Sequence, residues 1–201
     1  MTRLHRPFTP EQDIAAYPLG AATEGHGLTP DVIALCQAGV SIIFAVRRPD
    51  GAPIAGLGLA CRVTADERVR VLVLRRANAD ALQALMRDSR IAVTFTRVPD
   101  HRSIQLKGSG AVIGATTPED LRSASRQARA FRDALIDLEM GDNYSIAYCS
   151  YDATDLVAIE FTPDHAFTQT PGPGAGTQLA IAQTDTALEG PAGYAHDSRH
   201  A

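Results

Sequence analysis

The sequence predicts a mainly β protein, a small closed antiparallel barrel with helices at its ends. Two observations carry this. Short apolar stretches of strand length alternate with tight turns rather than with long crossovers. Their order along the chain is helix, three strands, short helix, two strands, long helix, strand. Regular βαβ units of about 30 residues are missing, which argues against a dinucleotide-binding fold.

Taken in order, residues 1–28 show no sustained period and are expected to form an N-terminal arm, with a short turn near Asp13–Tyr17. Thr29 and Pro30 then open a helix as cap and first residue, and Gly39 closes it. Residues 40–46 form an apolar, β-branched run that reads as a buried strand. Pro49-Asp50-Gly51 makes a turn, and Pro53 to Val63 returns as a second strand. Gly56 and Gly58 interrupt that strand, marking either a bulge or a close approach by a ligand or another backbone.

In the third strand Val69, Val71 and Val73 alternate with Arg70, Leu72 and Leu74, and it runs into Arg75-Arg76. Asn78 is expected to cap a short helix to about Asp88. Ile91, Val93 and Phe95 mark a fourth strand. Ile104 and Leu106 mark a fifth, which carries Ser103, Gln105 and Lys107 on its other face. Thr116 or Thr117, with Pro118, starts the longest helix. Its apolar stripe is Leu121, Ala124, Ala128, Phe131, Leu135 and Leu138, and Gly141 ends it. Asp120, Asp133 and Asp137 are read as its solvated face. Residues 143–150 allow a second short helix, and Leu156 to Phe161 is the sixth strand. The segment Thr170-Pro171-Gly172-Pro173-Gly174-Ala175-Gly176 excludes regular structure. Residues 178–201, which hold His196 and His200, are expected to be a flexible C-terminal tail. The barrel domain is thus placed at residues 29–177.

Composition narrows the function. A net charge of -4 without a long basic run argues against a general nucleic-acid binder. Three widely separated cysteines fit neither a disulfide framework nor a metal pattern, so a cytoplasmic location is expected. No apolar run approaches membrane-spanning length. No metal, P-loop or nucleophile-elbow motif is present. What remains is a set of cations and amides near strand ends: Arg75, Arg76, Arg102, Ser103, Gln105 and Lys107. Guanidinium forks suit a phosphate, and amides suit the polar edge of a flavin ring.

Between Ser41 and Gly108 the sequence resembles the pyridoxamine 5'-phosphate oxidase-like family of FMN-binding split barrels. The features that match, in order, are the strand with the Asp50-Gly51 turn, the return to Cys61, the strand ending at Arg75-Arg76, and the short helix before Ile91-Ala92-Val93-Thr94-Phe95. The stretch Arg102-Ser103-Ile104-Gln105-Leu106-Lys107-Gly108 follows, and Phe167 to Gly176 resembles the closing motif of an uncharacterised subgroup. The resemblance implies a six-stranded split barrel, a homodimer, and FMN in a groove at the subunit interface. It assigns cofactor contacts to Gly58, Cys61, Leu74, Arg75 and Ser103. With the cations and amide named above, the expected site also includes Arg76, Arg102, Gln105 and Lys107. The family's phosphate cations are replaced by Gly56, Cys61, Asp80 and Ala81, so a flavin-dependent oxidoreductase of another substrate is expected rather than a true pyridoxamine phosphate oxidase. Two alternatives stay open. One is a haem-binding or haem-degrading barrel with His101 or His165 as axial ligand. The other is a binding module without redox activity.

Overall fold

A computed structural model describes residues 28–181. The expected N-terminal arm, and the expected tail beyond residue 181, lie outside them. The elements are α1 (Pro30–Cys36), β1 (Ser41–Arg47), β2 (Pro53–Val63), β3 (Val69–Leu74), α2 (Ala79–Leu85), β4 (Ile91–Thr96), β5 (Ser103–Gly114), α3 (Pro118–Asp137), α4 (Asp142–Tyr148), β6 (Leu156–Thr168) and β7 (Gln178–Leu179). The strands hydrogen-bond in the order β3-β2-β1-β4-β5-β6-β7, and β3 also pairs with β6. That last pairing closes β1 to β6 into a six-stranded barrel, with every pairing antiparallel. This is the split-barrel architecture expected from the sequence.

Period-two alternation builds the interior. Ile42, Phe44 and Val46 of β1, Val93 and Phe95 of β4, and Ile104 and Leu106 of β5 all point inward and are buried. Val69, Val71 and Val73 join them, with Val157, Ile159 and Phe161 from β6. A second, smaller core lies outside the barrel wall. There Ala60, Leu72, Leu156 and Ala158 meet Ala124 of α3. This explains why β3 is buried on both faces although its sequence alternates Val with Arg and Leu.

Thr117 caps α3 through a capping box. Its hydroxyl accepts from the Asp120 amide, and the Asp120 carboxylate accepts from the Thr117 amide. The helix's buried face differs from the expected stripe. Leu121 and Leu138 are exposed, and Asp120, Ser123 and Gln127 are buried with Ala124, Ala128 and Leu135. Asp120 is therefore not on a solvated face. It receives Arg62 Nε at 2.8 Å and Arg70 Nη2 at 2.7 Å, and Arg70 also pairs with Glu160. Gln127 reaches the barrel wall. Its Oε1 accepts from the Cys61 amide at 2.9 Å, and its Nε2 donates to the Cys61 carbonyl at 2.6 Å.

Three further expectations need correction. Helix α2 stops at Leu85, and Asn78 makes no capping bond to it. Strand β6 continues past Phe161 to Thr168. Its Pro163 lies opposite Gly108, beside a register shift in β5, where a missing amide is tolerated. Gln178 and Leu179 pair with β6 at Phe167 and Ala166, so this part of the expected tail is a strand. Among the described residues, no helix is long and apolar enough to cross a membrane.

Candidate functional site

The residues picked out from the sequence fall into two groups on the barrel. Gly58, Leu74, Arg75 and Arg76 lie where β2 meets the end of β3. Arg102, Ser103, Gln105 and Lys107 lie along β5. In the sheet, Leu57 pairs with Ile43, Ile43 with Thr94, and Thr94 with Gln105. The two groups are thus separated by three strand spacings, about 14 Å.

Gly58 and Leu74 of the first group line a cavity of about 270 Å³. It is lined by Leu57, Gly58 and Leu59 of β2, by Leu74 and Asn78, and by Phe131, Tyr148 and Cys149 from the α3–α4 side. Its lining carries no charged side chain. Asn78 is fixed by β2 and β3. Its Oδ1 accepts from the Leu57 amide at 3.0 Å, and its Nδ2 donates to the Leu57 and Leu74 carbonyls at 3.2 and 2.8 Å. That is why it is lost to helix capping. Arg75 follows Leu74 on the exposed turn and makes no ion pair among the described residues. Arg76 is exposed and pairs with Asp155 at 3.4 Å.

Gly58 lines the cavity with its backbone while its side-chain direction points into the barrel core, and Cys61 is not among the cavity's lining residues. A Cβ on Gly58 would sit 2.6 Å from Ile42 Cγ2 and 3.0 Å from Val71 Cγ1, so its space is taken by the barrel core. The strand also shifts register between Gly58 and Ala60. A bulge and tight core packing therefore account for this glycine. Cys61 is fully buried. Burial and the neighbouring Cys36 push its thiol well above the ordinary value, as befits an inert core residue.

On β5, Ser103 is buried and engaged. Its Oγ donates to the His101 carbonyl at 2.9 Å and shares a 2.9 Å bond with Thr96 Oγ1. Gln105 is half-buried, and its Nε2 donates to Thr94 Oγ1 at 3.1 Å. Arg102 is half-buried, and its amide donates to Asp100 Oδ1. Lys107 is exposed, with Nζ 4.7 Å from the centre of the Phe167 ring. His101 is exposed in a loop at φ 57°. The His165 ring nitrogen Nδ1 lies 3.3 Å from Gln178 Nε2.

Sequence reasoning missed two concentrations of chemistry. A groove of about 480 Å³ runs past Arg47, Arg90, Lys107 and His165, over a floor that includes Ala45 and Ala92. A polar pocket of about 230 Å³ between α3 and α4 holds Ser125, Arg129 and Arg132. The groove has no local signature, because Arg47, Arg90 and Lys107 come from separate elements, whereas Ser125, Arg129 and Arg132 recur along one face of α3. Among the described residues, no cluster of histidines, cysteines and carboxylates could hold a metal ion.

No family model matches the sequence, and no curated protein matches it. Solved structures do share its outline. An F420 reductase is 16% identical, with 72% of this chain and 98% of that chain covered and a TM-score of 0.46. HupZ from Group A Streptococcus is 14% identical, with 74% and 99% covered and a TM-score of 0.43. A pyridoxamine 5'-phosphate oxidase-related, FMN-binding protein from Nostoc punctiforme is 11% identical, with 72% and 85% covered and a TM-score of 0.42. The assignment of this chain to the split barrels rests on the β3–β6 closure itself.

Proposed function

We propose that this chain binds FMN in the cavity between the β2–β3 wall and the α3–α4 pair, and acts as a flavin-dependent oxidoreductase. The observation that carries the proposal is the apolar cavity of about 270 Å³ lined by Leu74, the residue that Arg75 follows in the chain. It is built from the same β2 and β3 segments to which the family resemblance assigns the flavin. Leu57, Leu59, Leu74 and Phe131 offer apolar surface to a flat ring and keep water from it. Ser41 and Tyr148 bring hydroxyls to the same walls. With no charge inside, the phosphate belongs outside, and Arg75 is the cation for it. A bound flavin supplies hydride chemistry, and the protein supplies position and exclusion of water.

The proposal includes a homodimer. Leu57 and Ile43 are paired across β2 and β1 yet are 54% and 46% exposed. Beside them Ala55 adds a small exposed side chain to the same face. A flat apolar strip of this kind suits a second copy of the chain. Because Leu57 also lines the cavity, that copy would cover its mouth. Sedimentation should then give about twice the 21.4 kDa chain mass.

The test is a visible spectrum before and after incubation with FMN and desalting. Retained flavin bands at about one per chain are expected, and Ala128→Phe, which fills the cavity, should abolish retention. Arg75→Gln should weaken FMN at least about tenfold. No retention by the wild-type chain would overturn the proposal. A Soret band on adding haemin would instead favour the haem alternative.

A further inference from the structure

We propose that the groove at the ends of β1 and β4 is a separate binding site for a small oxyanion, the phosphate or carboxylate group of a compact polar molecule. It stands on different residues from the flavin cavity and does not depend on that reading. Arg47 leaves β1, Arg90 precedes β4, and Lys107 lies where β5 shifts register against β6. All three line one groove.

Two of these cations are held in place. Asp88 Oδ2 receives Arg47 Nε at 3.0 Å and Arg90 Nη2 at 2.8 Å, and Asp88 Oδ1 receives Arg90 Nε at 2.9 Å. The two guanidiniums hold the Asp88 carboxyl well below its usual range, Arg90 foremost. Both Nη groups of Arg47 and Nη1 of Arg90 have no partner among the described residues. A carboxylate that orients two guanidinium forks and leaves outward donors free is a preorganised oxyanion receptor.

The floor supports this use. Ala45 pairs with Ala92, and Ala92 with Lys107, so two methyl groups leave depth between the arginines and the lysine. The Lys107 ammonium lies over the Phe167 ring, which restrains it while the residue stays exposed. One carboxylate, Asp164, opposes the cations from the far wall, and it already accepts from Ser109 Oγ at 2.8 Å. His165 lies beside it. The lining cations still outnumber the lining carboxylates.

Calorimetric titration of the full chain with pyrophosphate, and separately with malonate, at low ionic strength tests this. Saturable binding of at least one anion is expected. The tighter of the two identifies phosphate or carboxylate as the natural group. Lys107→Gln and Arg90→Gln should each weaken it at least about tenfold, while Arg126→Gln, on the exposed side of α3 and outside both the groove and the cavity, should bind as wild type. Lys107 is exposed, so its variant should unfold at the wild-type temperature, and it decides the matter should Arg90→Gln fail to fold. No saturable binding of either anion would overturn the proposal. So would an equal loss in Arg126→Gln and Lys107→Gln, which would indicate general surface charge.

Discussion

Asp120→Ala should cost about 3–5 kcal/mol of folding stability, read as a lowered urea midpoint with an unchanged slope. Asp120 is fully buried and accepts from Arg62, Arg70 and the Thr117 amide. Removing it strands Arg70, whose side chain is 10% exposed, with only Glu160 and the Ala115 carbonyl as partners. It also removes half of the α3 capping box. A domain of this size has about 5–15 kcal/mol in total, so the variant should be close to unfolding at growth temperature.

The same residue gives a pH signature. Burial acts to raise the Asp120 carboxyl, but Arg70, the Thr117 amide and Arg62 outweigh it and hold the group at about 2. An unfolded Asp titrates near 3.9. The folded state therefore binds the proton more weakly, and ionised Asp120 stabilises the fold above the unfolded value. That contribution, about 2 kcal/mol, fades as pH falls from about 5 through 2. Urea midpoints of wild type and Asp120→Asn should differ most at neutral pH and converge toward pH 2. A constant gap would show that the charge is not what matters.

Alternation and turn chemistry were enough to read the barrel. Val69-Val71-Val73 and Ile104-Leu106 face inward as their spacing implies, and Thr117 caps the helix it precedes. The exceptions have physical causes. An acid in a helix's first turn is equally well explained by the dipole and by a buried ion pair, so Asp120 gave no sign of Arg70, fifty residues away in the chain. Asn78 looked like a cap because nothing local showed that β2 would claim its amide. The sixth strand was legible only to Phe161, because its further partners, at the β5 irregularity and beyond, are distant in sequence. The site was harder still. Leu74 and Arg75 were legible as a strand end, whereas Phe131 and Tyr148 face them only through tertiary packing. Lys107 was found alone, because Arg47 and Arg90 converge on its groove through Asp88, which is 41 residues from Arg47.

Gly56→Val should cost about 3 kcal/mol or more and should remove flavin retention at the same time. A Cβ at this position would lie 2.4 Å from Phe44 Cζ and 2.4 Å from Asn78 Oδ1. Phe44 is fully buried in the barrel and has nowhere to retreat without opening the core. Asn78 must therefore move, and with it go the bonds to Leu57 and Leu74 that tie α2's start to the cavity wall. Stability and cavity shape thus depend on the same missing methyl group. Gly108→Val separates the two effects, because its Cβ would press on Phe161 and the Thr162 carbonyl, and none of these residues lines the cavity. Both variants should lower the urea midpoint. Under conditions where both remain folded, Gly56→Val should lose FMN while Gly108→Val retains most of it. Equal loss in the two would mean that general loosening of the barrel, rather than the position of Asn78, governs the cavity.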